Sequence, residues 1–195
     1  MKKNNNSKMV TLILPVAGKS ERFGKKIPKW LLSTPHNDLM LSESISLLNL
    51  SNVKEIVIIC LQEHIKNFIK IDNIKKSILS EIKFKGPIKI CVLKNMMSSQ
   101  AHTVASGIKK LNIKGPIFIK DCDNFYKYKI QMGNIVTSLN LNNADLVLAK
   151  NKSYIDTNKK NIILRIVEKK VISDLFCTGG YGFENCDEFL SYFNI

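Results

Sequence analysis

Val10-Thr11-Leu12-Ile13-Leu14-Pro15-Val16 runs straight into Ala17-Gly18-Lys19-Ser20-Glu21-Arg22-Phe23-Gly24-Lys25-Lys26-Ile27-Pro28-Lys29. The first part is a continuous apolar run, the pattern of a strand buried on both faces. The second part is a Gly-containing basic loop. A helical pattern from Leu41 to Leu50 follows it. Strand, loop and helix in that order open an alternating α/β unit.

The alternation continues down the chain. Glu55–Leu61 is a second buried strand, and Lys66–Ile82 carries apolar residues near the helical period, with a break expected at Asp72-Asn73. Ile88–Leu93 makes a third strand, Ser99–Leu111 a helix with Ser99 as its N-cap, and Ile117–Lys120 a fourth strand. Asp145–Ala149, Ile162–Glu168 and Tyr181–Phe183 are further strand candidates, and Cys186–Phe193 reads as a last helix. Phe189, Leu190 and Phe193 on that helix are expected to be exposed and able to cover a neighbour in a homo-oligomer. The polar stretches are a frayed N-terminus over residues 1–8 and a surface loop from Asn151 to Asn161. The expected fold is α/β and Rossmann-like: a mostly parallel, mixed central sheet with helices on both faces, in one domain over residues 1–195. Ligands of such sheets sit beyond the carboxyl ends of the strands. Function is therefore sought after Val16, around Lys94–Gln100 and after Lys120.

Composition narrows the classes. A chain of 195 residues with 45% hydrophobic and 24% charged residues has room for one globular domain and is not disordered. No apolar stretch approaches the roughly 20 residues that cross a bilayer. Lys2, Lys3 and Lys8 precede an apolar run, but Pro15 interrupts it and no small-x-small site follows, so no secretory leader is expected. The net charge of +14 comes from 28 Lys and only 2 Arg, scattered along the chain. Lysines lack the planar fork that reads bases, and the aromatics do not interleave with them as a stacking platform would. A solvated basic surface that attracts small polyanions is preferred over a nucleic-acid face. Five cysteines without a C-x-x-C pair and three dispersed histidines exclude a zinc framework and point to the cytoplasm.

The first loop is not a P-loop. That motif needs glycine five residues before Gly18, and Ile13 stands there. The dinucleotide fingerprint fails at Ser20. What remains is a tight turn at Ala17-Gly18 whose backbone N–H groups can approach phosphates, followed by Arg22 and Lys29 as positive charges for a triphosphate. Further on, Asp121-Cys122-Asp123 turns two carboxylates to one side of a strand end, where they can share a hard cation.

Ala17-Gly18, Arg22-Phe23 and Pro28-Lys29 resemble, in order and spacing, the loop of the sugar-phosphate nucleotidyltransferases, which runs roughly A-G-x-G-x-R-F and then P-K. The resemblance implies that Pro15, Val16, Ala17 and Gly18 hold base and ribose through backbone atoms. It implies that Arg22 faces the triphosphate and Lys29 the acceptor phosphate. It also implies Gln100 as a base contact, and a magnesium aspartate near Asp123-Asn124 with Asp121 adjacent, the choice between the two staying open. Glu168-Lys169 and the Gly179-Gly180-Tyr181-Gly182-Phe183 strand resemble the family's acceptor-binding segments. Relatives generally continue past the last helix, so a compact or truncated version is expected.

The expected activity is Mg2+-dependent transfer of a nucleotidyl group, with a pyrimidine nucleotide favoured, to a phosphorylated small molecule. A sugar phosphate for surface polysaccharide is the first choice. A cytidylyltransferase acting on phosphocholine or another small phosphorylated metabolite is the runner-up. A catalytically inactive nucleotide-binding homologue and a basic nucleic-acid-binding module are the readings from other classes.

Overall fold

The computed structural model describes residues 9–18, 27–36, 38–143 and 151–193. Packing divides the chain into two compact units, residues 1–134 with 182–195, and residues 135–181.

In the first unit the order is β1 (Val10–Pro15), a 3-10 turn (Lys29–Leu31), α1 (Met40–Ser46), β2 (Leu48–Asn49), β3 (Val53–Leu61), α2 (Gln62–Asn67), α3 (Ile71–Glu81), β4 (Ile88–Leu93), α4 (Gln100–Leu111), β5 (Ile117–Lys120) and β6 (Tyr128–Lys129). The strand order is β4-β3-β1-β5, all parallel, with Leu12 opposite Ile56 and Phe118. Leu12–Leu14 and Ile56–Cys60 are wholly shielded from solvent, as a run of apolar residues without alternation requires. Successive strands from β1 step outward to β4, and the chain then crosses by α4 to place β5 on the other side of β1. The crevice between the carboxyl ends of β1 and β5 is thus the topological switch point, where such sheets open to ligands.

Helix α4 lies against β1, β3 and β4. Its N-cap is Ser99, whose hydroxyl accepts from the His102 N–H at 3.1 Å, as expected. At its other end Asn112 closes the helix in the left-handed conformation, with φ 50°. Gly107 is where the helix meets the sheet: a Cβ there would lie 2.3 Å from Ile59 Cδ1.

The second unit holds β7 (Ile135–Asn140), β8 (Ser153–Thr157), β9 (Ile163–Glu168) and most of β10 (Leu175–Phe183). Strand β8 runs antiparallel to β9 and to β10, which makes the architecture mixed. Ile162, Leu164 and Ile166 are exposed, and the latter two share one face of β9. After β10, α5 (Cys186–Ser191) returns to the first unit.

Several elements differ from their sequence-based expectations. The expected helix Leu41–Leu50 ends at Ser46, and Leu48–Asn49 pairs instead with Tyr128–Lys129. The break expected at Asp72-Asn73 falls at Phe68–Lys70, where the Phe68 and Ile69 N–H groups both turn back to the His64 carbonyl. Asp72 then sits in the first turn of α3, where the helix dipole favours an acid. The supposed surface loop 151–161 contains β8. Its buried Tyr154 and Ile155 are flanked by polar residues, and the strand shows itself only in its antiparallel ladder to β9, a hairpin in which Thr157 faces Ile163. Phe189 is not exposed: it packs edge-on against Phe183 at 4.8 Å and at a tilt against Phe193 at 5.0 Å, while Leu190 and Phe193 are half-buried, so the last helix turns Phe189 into its own unit. The Asp145–Ala149 candidate lies outside the described residues.

Candidate active site

Three segments that follow the parallel strands meet at the switch point. They line a cavity of about 470 Å³ bounded by Pro15–Gly18, Lys29-Trp30, Met96–Gln100, Thr103 and Asp121–Asp123. Of the residues singled out in the sequence, Pro15, Val16, Ala17, Gly18, Lys29, Gln100, Asp121 and Asp123 all reach this one space. Arg22 lies outside the described residues. Glu168, Lys169, Gly180 and Tyr181 belong to the second unit.

The wall after β1 is backbone. Val16 and Ala17 are buried, Gly18 is exposed, and a Cβ at Gly18 would meet nothing within 4 Å. That open space lets a ligand approach the main chain closely. Lys29 starts the 3-10 turn, with Pro28 before it and the buried Trp30 and Leu31 behind it. The indole of Trp30 donates to His64 Nδ1 at 3.2 Å, which anchors the turn on α2.

The opposite wall carries the two carboxylates, each already engaged. Lys29 Nζ donates to Asp123 Oδ2 at 2.6 Å, and Asn124 Nδ2 approaches Asp123 Oδ1 at 3.3 Å. The Gln100 amide donates to Asp121 Oδ1. Burial would raise the pKa of both acids. At Asp123 the Lys29 ammonium prevails and holds the carboxyl below its ordinary value, whereas at Asp121 burial wins over the Gln100 hydrogen bond and the pKa is raised. One carboxylate is paired with a charge and the other with a neutral amide.

Beneath them stands a residue that the sequence reading passed over. Lys120, the last residue of β5, is fully buried, and its ammonium donates to the carbonyls of Asp121 and Asn124, both at 2.6 Å. It also lies 4.7 Å from the centre of the Tyr126 ring. Burial pushes its pKa down to about 8 against the pull of Asp121, Cys122 and Asp123. One side chain therefore ties both ends of the carboxylate loop to the strand. A charged residue closing an otherwise apolar strand, Ile117-Phe118-Ile119-Lys120, was the available signal.

The residues present suit magnesium. Among the described residues no three His, Cys, Asp or Glu side chains converge on one point. Magnesium is typically held by one or two carboxylates and completes its shell with water and phosphate oxygens. Two hard oxygen donors beside a backbone wall open to an anion fit that pattern.

In the second unit Glu168 and Lys169 end β9 as an exposed ion pair at 2.9 Å, with Lys169 in the left-handed region at φ 59°. Gly179 has φ 80°, a conformation glycine adopts without strain, and the Gly180 carbonyl accepts from Thr137 Oγ1 at 3.3 Å. The Tyr181 hydroxyl lies 3.3 Å from Cys177 Sγ.

A parallel sheet with its cavity at the β1/β5 switch point and paired aspartates at the end of β5 is the arrangement in which open α/β sheets take a ligand. Solved structures share this fold. A nucleoside-diphosphate-sugar pyrophosphorylase from Vibrio cholerae superposes with a TM-score of 0.71 at 20% identity, over 92% of this chain and 75% of that one. The inositol-1-phosphate CTP transferase from T. maritima gives 0.67 at 14% identity, over 93% and 72%. A UTP-bound UGPase from Acinetobacter baumannii gives 0.66 at 14%, over 93% and 76%. The fold is that of the sugar-phosphate nucleotidyltransferases. Neither a protein-family model nor a curated protein sequence matches the chain. Among the described residues no helix is long and apolar enough to cross a membrane.

Proposed function

We propose that this protein is a nucleotidyltransferase that joins the NMP of a nucleoside triphosphate to a phosphorylated small molecule and releases pyrophosphate. The observation that carries this reading is the convergence of Pro15–Gly18, Lys29, Gln100, Asp121 and Asp123 on one cavity at the switch point. A sugar phosphate is the preferred acceptor and a pyrimidine nucleotide the preferred donor. The uridine and cytidine nucleotides in the names of the structural neighbours support that preference.

The Pro15–Gly18 backbone seats the nucleotide, and Gln100, at the mouth of α4, is assigned to its base. An oxygen of the acceptor phosphate attacks the α-phosphorus in line. A P–O bond forms there while the bond to the β-phosphate oxygen breaks, and pyrophosphate departs with that electron pair. The attacking oxygen is already anionic, so no side chain has to remove a proton. Lys29 carries charge to the phosphates, and Arg22 is assigned to the triphosphate by its place in the loop. Magnesium held by Asp121 and Asp123 would neutralise the phosphates and help pyrophosphate leave. The remaining work is orientation and charge stabilisation. Glu168, Lys169, Gly180 and Tyr181 are proposed for the acceptor, with Glu168 accepting from its hydroxyls.

The inositol-1-phosphate CTP transferase likeness also favours a second acceptor class, small phosphorylated alcohols such as phosphocholine. The test incubates the protein and Mg2+ with CTP, UTP, dTTP, GTP or ATP against a panel of sugar phosphates and phosphorylated alcohols. Pyrophosphate release and product mass are read together. One donor–acceptor pair is expected to give a nucleoside diphosphate linked to the acceptor, and Arg22→Ala should cost about 2.7–4 kcal/mol of barrier. Nucleotide binding without pyrophosphate release would favour the inactive homologue. DNA or RNA binding that persists in EDTA would favour the nucleic-acid module.

A further inference from the structure

The two carboxylates of the cavity differ in what holds them. Asp121 takes a hydrogen bond from the neutral Gln100 amide, whereas Asp123 Oδ2 takes the Lys29 ammonium at 2.6 Å. Lys29 is well placed to move without its backbone. Its own turn is held by the buried Trp30 and Leu31, the Leu31 and Leu32 N–H groups return to the Pro28 and Lys29 carbonyls, and the lysine stem is flexible. Its side chain is 23% exposed and that of Asp123 is 42% exposed, so both ends of the pair reach the cavity.

We infer that Lys29 and Asp123 form an exchange pair. The ammonium is the resting counter-ion of Asp123, and a divalent cation arriving there displaces it toward the phosphate of a bound ligand. The inference rests on the nucleotidyltransferase reading and deepens it. An ammonium and a divalent cation cannot share one carboxylate oxygen without strong mutual repulsion in a site partly shielded from water. The cation therefore has to compete with Lys29 when it comes alone. An anion alone meets a lysine already committed to a carboxylate. When both arrive, the cation takes Asp123 and the freed ammonium takes a phosphate, so no charge is left without a partner. Binding of each ligand then favours the other by the same factor, as linkage requires.

This arrangement makes two single substitutions act in opposite senses. Lys29→Gln removes the competitor, so Mn2+ without nucleotide should bind about tenfold more tightly than to the wild type, while CTP or UTP in EDTA binds more weakly. Asp123→Asn should do the reverse: Mn2+ binds more weakly, and nucleotide in EDTA binds several-fold more tightly because the lysine no longer faces a carboxylate at 2.6 Å. Free Mn2+ is counted by electron paramagnetic resonance and nucleotide by calorimetry, with circular dichroism melts to show that each variant folds.

Tighter Mn2+ binding by Lys29→Gln supports the exchange. Unchanged or weaker binding overturns it, since removal of an ammonium that competes for Asp123 at 2.6 Å must raise cation affinity. Asp123→Asn gives an independent reading if the lysine variant does not fold, and no gain in nucleotide affinity there overturns the exchange as well. Titrating wild type with CTP and UTP in Mg2+ tests the enzyme reading separately. Failure to bind either nucleotide sinks that reading, while the Mn2+ arm still decides the exchange.

Discussion

The indole N–H of Trp30 donates to Nδ1 of His64 at 3.2 Å, with both side chains buried. Indole can only donate, so Nδ1 must be the acceptor and the imidazole proton resides on Nε2. A wall residue of the cavity is thereby anchored to α2 through a neutral histidine.

This arrangement predicts an acid-sensitive contribution to stability. Burial lowers the His64 pKa below 6.5, against a weaker upward pull from Glu63. Between the folded value and 6.5 the unfolded chain holds more protons, so stability rises with pH through that window. The contribution is complete above about pH 6.5 and is lost as pH falls through the folded pKa. His64→Gln keeps an acceptor for Trp30 and cannot titrate. Urea unfolding from pH 7.5 down to 5 should show wild type losing stability relative to this variant, and parallel curves would count against a neutral buried His64.

Lys120 predicts a change at the alkaline end. Its folded pKa of about 8 lies below the ordinary 10.5, so the unfolded chain holds more protons between those values. Stability should therefore rise with pH across the window, by up to about 3 kcal/mol from this group. The neutral amine still has two N–H bonds for the Asp121 and Asn124 carbonyls. Lys120→Met lacks the rise, so the stability difference should shift toward wild type as pH increases from 8. A difference that stays flat with pH would mean that the ammonium is solvated.

Gly107 predicts a packing penalty. Alanine there would gain roughly 1 kcal/mol of helix propensity. Its Cβ would also meet Ile59 Cδ1 at 2.3 Å and Cγ1 at 2.9 Å, on a side chain that is itself fully buried. Overpacking of this kind costs roughly 1–3 kcal/mol, so a net loss of about 1 kcal/mol is expected in denaturant unfolding. A stabilised Gly107→Ala would show that Ile59 has room to turn aside.

The parallel part of the fold follows from local apolar pattern. Val10–Val16, Glu55–Leu61 and Ile117–Lys120 were legible because a strand covered on both faces has to be apolar along its length, and Ile88–Leu93, at the sheet edge with Lys89 exposed, by its run of β-branched residues. The cap at Ser99 was legible too, whereas the break expected at Asp72-Asn73 fell at Phe68–Lys70. That the loop after β1 and the Asp121/Asp123 pair would line one cavity was legible as well, since both follow strands whose carboxyl ends lie side by side. The β8 strand and the inward turn of Phe189 were not. A half-polar strand and an aromatic helix face acquire their meaning only from what packs on them.

Tertiary structure alone decided the pairings within the site. Lys29 and Asp123 are 94 residues apart, and Gln100 and Asp121 are 21 apart. No local pattern states that one carboxylate meets an ammonium and the other an amide. That difference arises because crossing from β4 to β5 brings α4 and two loops to one crevice. A residue's charge is written in the chain, but the charge that answers it depends on which strands become neighbours.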